Sequence, residues 1–186
     1  AKILKDLGVA FEVVKSDAPE VSYPHDPERT VRENALAKGA AGFNTETRIP
    51  RANASCEAGA RGVRHRDGYG VLSADTIVWF NNRIYGKPRD LAEAKEYLRE
   101  LSGNIHTVFT GVAYNGEVKV VKSDVKFREL SDAMIDEYVA RVRPTDRAGA
   151  YDIDESGDLI VESYTGSYEN IMGLPVEPLR EWKIVR

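Results

Sequence analysis

The sequence predicts an α/β protein with a mixed, strongly twisted sheet and flanking helices. Helical and strand patterns alternate along its 186 residues, a length that suits one large domain or two small lobes sharing a core. Two asparagine turns, Asn81-Asn82 and Asn115-Gly116, each join two apolar runs as hairpins, which demands antiparallel pairing. There is no internal repeat, and the hairpins exclude a doubly wound parallel sheet.

The elements follow in order. Residues 1–7 read as the end of a helix, with Ile3, Leu4 and Leu7 on one face and Gly8 as its stop. Residues 9–14 are β-branched and aromatic enough for a short strand. Asp26-Pro27 is a cap followed by a first-turn proline and opens a helix to about Ala41, ended by Gly42. Residues 44–70 have no sustained period. A long strand signal covers 69–80, and its hairpin partner is 83–85. Asp90 begins a helix to Leu101 in a capping-box-like pattern with Glu93. Residues 107–114 and 118–127 form the second hairpin. Ser131 caps a helix to about Val142, which Pro144 prevents from continuing. A last strand is expected at 159–164 and a closing helix at 175–182.

Composition narrows the function. The chain is 42% hydrophobic and 30% charged, ordinary for a globular protein. No apolar stretch is long enough to span a bilayer, and no export leader opens the chain. The single cysteine, Cys56, excludes an intrachain disulfide and a cysteine-rich zinc site. The cytoplasm is the expected location, with no membrane partner. A net charge of −4 argues against a general nucleic-acid binder. One basic exception stands out: Arg48, Arg51, Arg61, Arg64 and Arg66 face one acid, Glu57. His25, His65 and His106 have no metal-ligand spacing and read as structural or surface residues.

Four stretches place polar residues where chemistry could sit. Ser73-Ala74-Asp75-Thr76 interrupts an apolar strand, and a carboxylate buried there would need a metal, a cation or a mobile proton. By alternation the same aspartate could face solvent. Gly86-Lys87-Pro88 follows the first hairpin and offers a point charge for phosphate, or is simply a turn with a surface lysine. The loop at 146–154 is dense in charge and small residues and could equally be a solvated connector. Gly166-Ser167-Tyr168-Glu169-Asn170-Ile171-Met172-Gly173-Leu174-Pro175 is loop-to-helix punctuation that could aim N–H groups at an anion, or a plain turn.

No one of these identifies a reaction, but their joint order resembles the Maf family. The match runs from about Leu4 to the C-terminus through Ser73–Thr76, Gly86-Lys87-Pro88, Leu101-Ser102-Gly103 with His106 to Gly111, and the stretches at 146–151 and 166–175. Maf proteins are metal-dependent nucleoside triphosphate pyrophosphatases with an elongated α/β fold like that of the inosine-triphosphate pyrophosphatases, and are associated with arrest of septum formation. The resemblance therefore implies one Maf-like domain over 1–186, its two lobes around a central cleft, with residues 44–68 as a mobile arginine-rich insertion. It implies Asp75 as the catalytic acidic residue, a proton acceptor for water or a ligand of magnesium or manganese, Glu20 as a second metal ligand, and Lys38 and Lys87 as triphosphate ligands. Thr76, Asp154, Ser73 and Tyr151 are implied in substrate binding and specificity. A homodimer is also implied.

Family members carry a strand and a Ser-x-Ser-Pro-Arg-Arg loop just ahead of the segment aligned to Ala1, so this N-terminal strand and phosphate loop are expected to be missing here. Tyr151 and Tyr168 resemble the branch acting on dTTP and UTP. That branch has Gln where Asp154 aligns, whereas the 7-methyl-GTP branch has Glu there. The expectation is a dTTP/UTP pyrophosphatase. The alternatives are a 7-methyl-GTP pyrophosphatase, a non-catalytic nucleotide-binding regulator of septum formation and, from the arginine-rich stretch alone, a nucleic-acid binder.

Overall fold

A computed structural model describes residues 1–13, 15–42, 48–50 and 69–186. Helix α1 (Lys2–Asp6) leads through a long non-regular segment to α2 (Pro27–Gly42). Strand β1 (Arg48–Pro50) precedes the long strand β2 (Tyr69–Phe80), which returns as β3 (Arg83–Tyr85). Then come α3 (Leu91–Leu101), β4 (Ile105–Tyr114), β5 (Glu117–Phe127), α4 (Asp132–Val142), β6 (Val161–Thr165), α5 (Tyr168–Ile171) and α6 (Val176–Glu181). The arginine-rich stretch assigned to 44–68 lies outside the described residues, except for β1.

The six strands of the described residues form one sheet in the order β1-β2-β4-β5-β6, with β3 also on β2. Every described pairing is antiparallel. The hairpins set two of these pairings, β2 with β3 and β4 with β5. Asn81 and Asn82 take φ of 49° and 59°, the left-handed pair of a tight turn whose twist matches its strands. Asn115 and Gly116, at 53° and 88°, close the second in the same way. The α/β class and the exclusion of a doubly wound sheet both stand.

Alternation along β2 and β4 divides the core. Ile77 and Phe109 pack with Val31 of α2 on one face. Val78 and Val108 join Leu98, Leu101, Phe127, Ile135 and Tyr138 on the other, under α3 and α4. A smaller cluster of Leu4, Leu72, Val112 and Leu179 seats the two ends of the chain. The caps read from sequence are made: the side chains of Asp90 and Ser131 accept the N–H of Glu93 and Met134, and Asp26 accepts that of Arg29. No helix among the described residues is long and apolar enough to cross a membrane.

One expected element differs. Residues 9–13 are not a strand, and Val14 lies outside the described residues. The Val9 N–H closes the end of α1 on the Leu4 carbonyl, and Val9 and Phe11 pack onto the Leu4 cluster. β-branched content scores fit to an apolar surface, and here a non-regular segment supplies the fit without a ladder.

Candidate active site

Strand β2 is paired along one edge with β4 from Leu72 to Trp79. On the other edge β1 reaches only Tyr69–Val71 and β3 only Val78–Phe80. Residues 72–77 therefore have no strand beside that edge among the described residues. The Val71 carbonyl accepts the Asn115 N–H on the β4 side, so by alternation Leu72, Ala74 and Thr76 turn their peptide groups to the open edge. A cleft of about 970 Å³ lies over this gap. Its walls include Ala74–Val78 of β2, Glu20–Ser22, one face of α2, Gly86-Lys87, the 146–155 loop and residues 171–174.

The α2 wall is built by spacing. Thr30, Asn34 and Lys38 recur every four residues and share one face, while Val31 and Ala35 beside them are fully buried under the helix. Asp75, 7% exposed, points at this face. Its Oδ1 accepts from Lys38 Nζ at 2.5 Å and its Oδ2 from Asn34 Nδ2 at 3.0 Å. Lys38 Nζ also meets Glu20 Oε1 at 2.7 Å, so two carboxylates converge on one cation. Burial pulls the Lys38 ammonium down, but the hydrogen bonds and charges of Asp75 and Glu20 outweigh it and raise its pKa. The hydrogen bond from Lys38 lowers that of Glu20 despite some desolvation, and the charge of Lys87 adds to it.

Lys87 lines the cleft as an exposed side chain with no ion-pair partner among the described residues. Its loop is pinned where the Gly149 N–H donates to the Gly86 carbonyl at 3.1 Å. Asp75, Lys38, Glu20 and Lys87 are far apart in the sequence, and the fold brings them to one cleft.

The four remaining candidates divide. Thr76 lines the cleft from the opposite face of β2, its hydroxyl 3.0 Å from Thr110 Oγ1. Asp154 stands exposed at the mouth, paired with Lys2 and 3.5 Å from the Tyr168 hydroxyl. Tyr151 presents its ring to the wall, but its hydroxyl is bonded to buried His106 Nε2 at 3.0 Å, and burial raises its pKa well above the usual tyrosine value. Ser73 is not brought to the cleft. Its hydroxyl donates to the Ala35 carbonyl at 2.7 Å, and Gly39 lies so close above it that a Cβ would sit 2.8 Å from Ser73 Oγ.

Two cleft residues were not singled out from sequence. Asn34 lies one helical turn ahead of Lys38, and its signal was the four-residue spacing to that lysine. Arg147 sat in the charged loop; it donates to Asp152 at 2.8 Å and Asp146 at 2.5 Å, and the bond to Asp152 leads in raising its pKa. His106 is structural, as expected, and His25 is exposed; His65 lies outside the described residues.

The cleft's charges are informative. Glu20, Asp75, Asp146, Asp152, Asp154 and Glu155 line it against Lys2, Lys38, Lys87 and Arg147. The acids outnumber the bases along the lining, so the cleft carries a negative surplus. The described residues contain no cluster of three or more His, Cys, Asp or Glu side chains that could hold a metal alone. Any metal must take the rest of its coordination from ligand and water.

The chain is similar to known proteins along nearly its whole length. The family model described as Maf-like protein matches residues 1–182. A dTTP/UTP pyrophosphatase of Thermosipho melanesiensis is 34% identical over 187 residues, covering 98% of this chain and 89% of the relative. One from Thermotoga maritima is 36% identical, covering 94% and 78%, and one from Bacillus cytotoxicus 38%, covering 98% and 88%. The chain belongs to the Maf family.

Proposed function

We propose that this protein hydrolyses dTTP and UTP to their monophosphates and pyrophosphate. The carrying observation is Asp75, a nearly buried carboxylate beside Lys38, Asn34 and Glu20 in a cleft that Lys87 also lines. The relatives named dTTP/UTP pyrophosphatase supply the substrate class.

In this reading the triphosphate lies along Lys38 and Lys87, which neutralise it as point charges. A water oxygen forms a bond to the α-phosphorus, and the bond from that phosphorus to the bridging oxygen breaks. The electron pair leaves with pyrophosphate. Asp75 accepts the water's proton on a carboxylate oxygen, oriented by Asn34. Asp75 and Glu20, hard oxygen donors that both reach Lys38 Nζ, are the residues that would hold a magnesium or manganese ion beside that lysine, with phosphate and water completing its ligands. When bound, that ion neutralises developing phosphate charge.

A panel of dTTP, UTP, ITP and 7-methyl-GTP, with products identified, tests the reading. Pyrophosphate and monophosphate are expected from dTTP and UTP, and Asp75→Asn should cut the rate by at least about a hundredfold. Release of single phosphates would reject the reaction, and faster turnover of 7-methyl-GTP would reject the base.

A further inference from the structure

Thr110 Oγ1, fully buried, lies 3.1 Å from the main-chain oxygen of Asn170 and 3.0 Å from Thr76 Oγ1. A carbonyl only accepts, so the bond to Asn170 uses the single proton of Thr110. Thr110 can then only accept from Thr76. The Thr76 proton is spent inward, and its lone pairs are what it offers the cleft. The opposite polarity would forfeit the bond to Asn170.

That carbonyl cannot swing away. Asn170 is fully buried; its side chain donates to Val108 O at 3.2 Å and Ser123 Oγ at 3.0 Å, and its N–H donates to Ser167 Oγ at 3.2 Å. The same carbonyl accepts the Gly173 N–H at 2.9 Å, which closes the turn over Thr76. Gly173 has φ of +94°, and a Cβ there would sit 3.3 Å from Thr76 Oγ1.

Thr76 also faces the right part of the cleft for a base. Asp75, Lys38 and Glu20 lie on the α2 face of β2, whereas Thr76 projects from the other face beside the apolar stretch Ile171, Met172 and Leu174. The polyanion and the ring thus have separate walls.

We propose that Thr110 is a positioning residue that fixes Thr76 as a hydrogen-bond acceptor, so that the cleft selects a base presenting an N–H donor. Uracil and thymine carry such a donor at N3, whereas cytosine has a lone pair there. This rests on the dTTP/UTP reading and adds to it a discrimination against cytosine nucleotides.

The test compares the parent protein with Thr110→Val, Thr110→Ser and Thr76→Val, using kcat/KM for UTP and CTP and equilibrium binding of UMP and CMP. The parent should prefer the uracil ligand by roughly tenfold or more, the scale of one hydrogen bond gained against one clash of lone pairs. Thr110→Val frees the Thr76 proton, so the preference should fall by about tenfold, partly through improved use of the cytosine ligand, and chiefly in KM. Thr110→Ser should restore it. Thr76→Val should weaken UMP and, by removing the clash of lone pairs, leave CMP bound as well or better, which keeps the idea testable if Thr110→Val does not fold. Parallel losses for both bases in Thr110→Val, or a parent indifferent to the base, would overturn the proposal. Absence of turnover with UMP still preferred over CMP would reject the hydrolase reading alone.

Discussion

Asn34 uses all of its side-chain amide to join three segments. Its Oδ1 accepts the Val21 N–H at 2.8 Å, and its Nδ2 donates to the Val21 carbonyl and to Asp75 Oδ2, each at 3.0 Å. It therefore holds the segment carrying Glu20 against α2 and orients the carboxylate of β2. Asn34→Ala would leave a buried carboxylate oxygen and two peptide groups without these partners. The expected cost is about 2–3 kcal/mol by urea unfolding, with turnover of UTP down at least about tenfold. Asn34→Asp restores an acceptor for the Val21 N–H but sets a second negative charge against Asp75, so its activity should fall below that of the alanine variant. Equal activity of the two would show that orienting Asp75 is not this residue's role. The ion pairs beside it have a definite pH sense. Lys38, raised, stays charged into alkaline solution; Glu20, lowered, keeps its share of the pairing above the ordinary carboxylate range and loses it as pH falls through its depressed pKa.

The elements carrying these residues are seated by close contacts. Gly111 of β4 faces Asp75 in register, and α2 crosses directly above it. A Cβ on Gly111 would lie 2.3 Å from the Val31 carbonyl oxygen and 2.6 Å from its carbon. Those are backbone atoms of a helix and cannot rotate aside. Gly111→Ala must lift α2, at a cost of about 1–3 kcal/mol, and because Asn34 and Lys38 ride on that helix, activity should fall more than stability suggests. Thermal unfolding with kcat/KM for UTP checks this; an alanine variant matching its parent in both would show that α2 does not depend on this contact. The legible elements were those whose signals are local. Asn81-Asn82 and Asn115-Gly116 state their turn in two residues, and Asp90 and Ser131 state a helix start in one. The segment at 9–13 was not legible, because a strand needs a partner that its own residues do not name. Asp75 was legible as a polar break in β2, yet nothing local says that it faces α2 while Thr76 faces the 171–174 wall. That follows from α2 packing on one face of β2 and the turn at Gly173 on the other.

At the scale of the whole molecule the site is a meeting of distant segments, and its far wall is part of the main core. Tyr151 joins the two, lining the cleft with its ring while its hydroxyl meets His106, which is 1% exposed and packed edge-on against Phe127. His106 Nδ1 has no partner among the described residues, and burial drives the pKa of the imidazole down to about 3. In the unfolded chain the same group titrates near 6.5. Between those values the unfolded state binds a proton that the folded state refuses. The contribution is therefore complete above about pH 6.5 and is lost progressively as pH falls towards 3. At about 1.4 kcal/mol per pH unit, moving from pH 7 to pH 5 should remove about 2 kcal/mol through this residue alone. His106→Gln keeps a polar group against Tyr151 but does not titrate. It should be less stable than the parent at pH 7, yet its own loss between pH 7 and pH 5 should be smaller by about 2 kcal/mol. Urea unfolding of both proteins at the two pH values measures the difference. Equal losses would mean that the imidazole accepts its proton inside the folded core, and that the wall behind Tyr151 is wetter than its packing allows.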